Sequence, residues 1–111
     1  MRTIDEIESD LKCGITDAVV PLQTTRQVNA AGLERLVAWA HEGATVLKGQ
    51  RNLPRSFLNE IYVVSHVIRA EAQHHRDARV MEVADRLEMV FALILQGEVP
   101  GDRRPGVPRV V

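Results

Sequence analysis

The stretch from Arg55 to Gln96 contains neither glycine nor proline, and this run restricts the possible folds more than any other feature. Because those two residues are the usual helix breakers, one long helix has to be considered first. The helical phase decides against it: at about 100° per residue, the apolar residues of the two halves occupy faces rotated by roughly 90°. The sets are Phe57, Ile61, Val64, Ile68 and Ala72, then Val80, Val83, Ala84, Leu87, Phe91 and Ile94. We therefore predict two helices joined at a break within residues 73–77, with Asp77 as the N-cap of the second.

A first helix is predicted at the start of the chain. Thr3 is a suitable N-cap, and acidic residues follow it where the helix dipole favours negative charge. Apolar residues then recur every three or four positions as far as Leu22. Pro21 is expected to end or kink this helix, and the residues after it to form a connector.

A second helix is predicted to begin after Asn29, a good N-cap, and to run to about Lys48. Gly49 is expected to stop it. Gly43 and the alanines near it would allow a neighbouring helix to approach closely. Pro54 then stands at a favoured first helical position, so it marks the start of the third helix.

The fourth helix contains MVFALIL, residues 89–95, which is apolar on every side. A helix that is apolar all round has to be buried on more than one face. In a chain this small, we expect the additional cover to come from another subunit. The predicted interface residues are Met89, Val90, Leu93 and Leu95.

The predicted fold class is all-α: a small antiparallel bundle of about four helices, assembled as a dimer. Residues 1–97 form the bundle domain. Residues 98–111 are rich in proline and glycine and are expected to be an extended or disordered C-terminal tail.

Composition excludes several classes of protein. A net charge of −1 argues against a dedicated nucleic-acid binder. The single cysteine, Cys13, excludes an internal disulfide and a site with several thiolate ligands. No segment approaches the roughly 18 apolar residues of a membrane span, and the N-terminus does not resemble a secretory signal. We expect a cytoplasmic protein without bound nucleic acid or membrane.

The segment IRAEAQHHRDARVME, residues 68–82, holds the candidate metal ligands Glu71 and His74. Residues three apart lie on one side of a helix, and ferritin-like carboxylate bundles use this Glu-x-x-His spacing to bind two metals. The chain has one such pair, so a homodimer would have to supply the second. The alternative is that these residues form the solvated last turn of a helix and no cofactor binds.

The stretch ATVLKGQ, residues 44–50, is similar to the phosphoacceptor helix of histidine phosphotransfer domains in Leu47, Lys48 and Gly49. The resemblance covers half a dozen residues. That family carries its phosphorylated histidine two residues before the leucine, where this chain has Thr45. The resemblance therefore implies a degenerate domain that has lost phosphotransfer and still docks a response regulator.

Three functional hypotheses follow. The favoured one is a non-catalytic interaction module that binds a second copy or another protein subunit as a regulator, adaptor or accessory subunit. The second is a divalent-metal protein with its site assembled across a dimer, and the third is the degenerate docking domain. No recognisable catalytic motif places a nucleophile beside a histidine, so an enzyme is not favoured.

Overall fold

The computed structural model describes residues 2–99, which form four helices and contain no strand. The helices are α1 (Ile4–Thr24), α2 (Ala30–Leu47), α3 (Arg55–Ala72) and α4 (Ala78–Leu95). The all-α fold with four helices is therefore confirmed.

Three of the predicted helix starts are confirmed by side-chain caps, whereas Pro54 is the residue just before α3 rather than its first and makes no side-chain cap hydrogen bond. Thr3 forms a capping box with Glu6, in which each side chain accepts a hydrogen bond from the other's backbone N–H. Asn29 accepts from the Gly32 N–H at 3.0 Å, and Asp77 accepts from the Arg79 N–H at 3.0 Å. The break between α3 and α4 lies at residues 73–77, where the two apolar faces required it.

The prediction that Pro21 ends or kinks α1 is wrong in its first form, because the helix continues to Thr24. Pro21 has no N–H to donate to the preceding turn. Its carbonyl, however, accepts from the N–H of Thr25 at 3.0 Å and from the Thr25 hydroxyl at 2.9 Å. Continuing the helix also places Leu22 fully inside the core. Burial of that side chain and the capped carbonyl outweigh the missing hydrogen bond.

The core lies between four neighbouring helix pairs: α1 packs on α2 and α3, and α4 packs on the same two helices. Leu, Ile, Val and Ala side chains supply almost all of its volume, and Phe57 is the largest of the fully buried residues. Ser65 is the one polar residue buried in the described part of the chain, and its hydroxyl donates to the Tyr62 carbonyl at 2.8 Å.

Two glycines allow bulky side chains to lie directly on the backbone of a neighbouring helix. A Cβ atom at Gly43 would stand 2.2 Å from Cζ of Phe57, so the Phe57 ring occupies the space above this residue. A Cβ at Gly14 would stand 2.3 Å from Cζ3 of Trp39. At Gly43 the close contact is made by the Phe57 side chain of α3, which reaches α2 across the core.

Each of the four neighbouring helix pairs also has a polar contact at its surface. Pairs of this kind contribute roughly 0–1 kcal/mol each when exposed, so they define the helix register more than they stabilise the fold. The contacts are Glu42 with Arg2 just before α1 (2.7 Å), Ser56 with Glu8 (2.5 Å), Arg69 with Asp85 and Glu88 (2.8 Å each) and Arg86 with Glu34 (2.8 Å).

After α4, the Glu98 N–H donates to the Leu93 carbonyl at 2.8 Å, and Val99 packs against the core. The predicted extended or disordered tail otherwise falls on residues 100–111, outside the described residues. Within residues 2–99, no helix has the length and apolar character needed to cross a bilayer.

Candidate functional site

The structure brings Glu71 together with His75 rather than with His74. Nε2 of His75 lies 4.0 Å from Oε2 of Glu71, and the His75 side chain is only 7% exposed. His74 is exposed, and its backbone N–H donates to the Glu71 carbonyl at 2.9 Å as the last turn of α3 ends. His75, four residues after Glu71, therefore points inward, whereas His74 stays at the surface.

A third charged group stands beside this pair. Arg26, which has a left-handed backbone with φ of 59°, places Nη1 3.7 Å from Oε2 of Glu71. That oxygen and Nε2 of His75 are buried and have no hydrogen-bond partner among the described residues. The neighbouring guanidinium competes with a metal ion for the carboxylate. Across residues 2–99, no three His, Cys, Asp or Glu side chains gather in a group that could hold a metal.

The segment that is similar to a phosphoacceptor helix is the end of α2. Thr45 is exposed, and its hydroxyl donates to the His41 carbonyl at 3.1 Å. Gly49 adopts φ of +74°, a conformation that L side chains rarely adopt, so this glycine serves as the helix stop. Thr45 and Gly49 thus both contribute to the end of α2 itself. These contacts add no support to the hypothesis of a docking domain.

The apolar end of α4 is covered mainly by the chain itself. Of the four predicted interface residues, Val90 and Leu93 lie in the core of their own chain, whereas Met89 and Leu95 are about half exposed. The sequence reasoning assigned to a second subunit a surface that α2 and α3 largely cover. Val90 and Leu93 are thus not available at the surface of one chain.

An exposed surface without formal charge lies instead on α3. After Arg55, the exposed residues of this helix include no Asp, Glu, Lys or Arg, whereas those of each of the other three helices do. Tyr62 is 50% exposed and Val63 is 47% exposed, side by side at the middle of the helix. We refer to this surface as the α3 face; its residues are Ser56, Asn59, Tyr62, Val63, His66 and Ala70.

Two mainly apolar grooves, each with one charged residue in its lining, border the α3 face. The groove toward α4 has a volume of about 310 Å³, and its lining includes Leu58, Tyr62 and Phe91. The rings of Tyr62 and Phe91 are 5.6 Å apart, and that of Tyr62 meets His66 edge-on at 4.3 Å. The groove toward α1 has a volume of about 130 Å³ and is lined mainly by isoleucine and valine, with Gln23 and Glu60 beside them. The aromatic and apolar surface is therefore continuous across α3.

Charged groups lie at the two ends of this surface. At the start of α3, Arg55 is exposed and forms no ion pair within the described chain. Toward the other end, Arg69 of α3 lies 2.8 Å from both Asp85 and Glu88 of α4, so two carboxylates share one guanidinium. One end is positive, and the other has one unit of excess negative charge.

Two titratable groups away from the α3 face have shifted pKa values with simple causes. Burial lowers the pKa of His41, and the positive charge of Arg86 lowers it further. Hydrogen bonds from the Arg79 side chain, and then from its backbone, lower the pKa of Asp77 to about 2. The first shift results mainly from desolvation and the second mainly from the neighbouring Arg79 guanidinium.

The sequence reasoning did not identify the α3 face, although a signal for it exists. The residues Asn59, Tyr62, Val63, His66 and Ala70 follow the helical spacing of three and four on the side opposite the predicted core stripe. An uncharged outer side is unusual in a chain whose composition is 26% charged.

Comparison of the chain with protein-family models, with curated proteins and with solved structures found no match in any of the three.

Proposed function

We propose that this chain is a small, non-catalytic protein–protein interaction module that acts as a regulator, adaptor or accessory subunit. The observation that supports the proposal is the α3 face, where Tyr62 and Val63 stand half exposed on an uncharged surface between two apolar grooves. Contiguous apolar surface with an aromatic residue at its centre is typical of binding sites on soluble proteins. The module therefore binds its partner through α3.

Surface chemistry favours a protein partner over a charged ligand. Tyr62 combines a large apolar ring with a hydroxyl that can find a hydrogen-bond partner, which is why tyrosine is enriched in protein interfaces. Asn59 and His66 add polar groups that can donate and accept hydrogen bonds, and the Asn59 amide carries no formal charge. The six residues of the α3 face include no Asp, Glu, Lys or Arg, and the charged residues beside it are Arg55 and Glu60, which line the two grooves.

Contacts between α3 and α4 support the proposed antiparallel arrangement of the bundle. Late in α3, Arg69 meets Asp85, whereas earlier in α3, Tyr62 meets the later Phe91. Positions therefore advance along one helix as they recede along the other. The exposed Cys13 thiol is compatible with a reducing compartment, and we place the module in the cytoplasm.

A photocrosslinking amino acid incorporated at position 63 tests the proposed function in the cells that make the protein. We expect irradiation to join the full chain to one or two discrete proteins, because a partner packed on the α3 face lies within reach of the probe. Mass spectrometry of the crosslinked product identifies the partner, which is either a second copy or a different protein.

The same probe at position 38 provides the control. Ala38 is exposed at the middle of α2, so it matches position 63 in accessibility and in place along its helix. Equal and diffuse crosslinking from both positions, or no product from position 63, contradicts the proposed function.

A further inference from the structure

We infer that the occupant of the α3 face is the α3 face of a second copy, with the two α3 helices running in opposite directions about a twofold axis. This inference rests on the proposed function and names its partner. Closed twofold dimers use the same surface on both subunits, so the surface has to be complementary to itself. Three properties of the α3 face meet that requirement.

The first property is the position of the apolar centre. Tyr62 and Val63 lie at the midpoint of α3, which extends over Arg55–Ala72. A twofold axis perpendicular to α3 at its midpoint places the first half of one α3 against the second half of the other. The two midpoints then face each other. Tyr62 and Val63 of one subunit then bury those of the other, so the apolar centre of the face meets apolar surface.

The second property is shape. The Tyr62 and Val63 side chains form a ridge on α3, and a groove lies on either side of that ridge toward α4 and toward α1. Helices pack when the ridge of side chains on one enters a groove on the other. With α3 against its own copy, each ridge enters a groove of the opposite subunit, and the same contact occurs twice.

The third property is charge. Reversing one α3 relative to the other brings Arg55, which has no ion pair in its own described chain, next to Asp85 and Glu88 of the second subunit. Among the described residues these two carboxylates share Arg69 alone, so a second guanidinium balances them. In the parallel alternative, Arg55 would face Arg55. Charge complementarity therefore selects the antiparallel dimer.

Sedimentation equilibrium on the full chain tests the inference. The wild-type protein is expected to sediment at micromolar concentration with twice the 12.4 kDa mass of one chain. Val63→Glu is expected to weaken the dimer by roughly 100-fold or more, because it buries two unpaired carboxylates at the twofold axis. Val63 is half exposed in one chain, so the variant should retain its fold, which circular dichroism checks.

Ala31→Glu is the matched control. Ala31 is exposed in the first turn of α2, where a carboxylate is favourable to the helix dipole, and it lies away from the α3 face. The control adds the same charge and is expected to leave the dissociation constant within about twofold of the wild-type value.

Variants of the charged ends test the direction of packing. Arg55→Glu is expected to weaken the dimer by roughly threefold to thirtyfold, since the change acts at two symmetry-related contacts of modest strength. Combining it with Asp85→Arg exchanges the two signs and should restore most of the affinity. Asp85→Arg alone is measured as well. If the double variant loses as much binding free energy as the two single variants lose together, the antiparallel packing is contradicted.

A wild-type chain that remains monomeric at 100-fold higher concentration overturns this inference, and so does a dimer that Val63→Glu leaves intact. The proposed function would still stand in the first case if the probe at position 63 crosslinks a different protein. It would fail together with the inference if no protein is captured there.

Discussion

Replacing Phe57 with alanine is expected to lower the free energy of unfolding by about 3–5 kcal/mol. Phe57 is the largest of the fully buried side chains, and its ring fills the space above Gly43 where α3 meets α2. Removing the ring leaves a cavity that a glycine backbone cannot fill. Urea denaturation followed by circular dichroism measures the loss as a lower midpoint with an unchanged slope.

Phe57→Leu serves as the control for this change because it retains most of the buried apolar volume. Its cost should be clearly smaller than that of the alanine variant. If Phe57→Ala costs less than about 1 kcal/mol, the ring does not occupy the core as described.

Replacing Gly43 with alanine is expected to destabilise the protein by about 1–3 kcal/mol, although the same change in an exposed helix stabilises it by about 1 kcal/mol. The added Cβ would stand 2.2 Å from Cζ and 2.6 Å from Cε2 of Phe57. A fully buried ring cannot swing toward solvent to relieve that overlap. The same denaturation experiment therefore distinguishes close packing from intrinsic helix propensity by the sign of the effect.

Combining Gly43→Ala with Phe57→Leu provides a matched test of the contact. If the clash with the ring causes the loss, Gly43→Ala should cost less in the leucine background than in the wild-type background, giving a coupling energy between the two sites. A stabilised Gly43→Ala protein would show that α2 and α3 are further apart than the structure places them.

Much of the fold could be predicted because its signals are local. The caps at Asn29 and Asp77, and the change of helical phase between α3 and α4, depend on residues close together in sequence. The end of α1 was predicted wrongly because it depends on distant contacts. Leu22 belongs to the apolar stripe of α1, but the residues that bury it beyond Pro21 lie far along the chain, so the local pattern alone does not show that the helix continues.

The candidate site was harder to predict because it depends on which surfaces remain uncovered. Glu71 and His74 have suitable helical spacing, but the helix ends at Ala72, so His74 lies in the turn beyond it and His75 is the histidine beside Glu71. Residues 89–95 are apolar on every side, and only the packing of α2 and α3 decides that Val90 is covered within the chain. The α3 face, by contrast, is visible in the sequence as an outer side without charge.

Chemical nitration of Tyr62 by tetranitromethane tests the central claim most directly, because Tyr62 is the only tyrosine in the chain. In a single chain its ring is half exposed, and in the proposed dimer it is buried at the twofold axis. Nitration should be fast in dilute wild-type protein and in Val63→Glu at any concentration, and slow in concentrated wild-type protein. A nitration rate of wild-type Tyr62 that does not change between dilute and concentrated solution would contradict burial of the α3 face by a second copy.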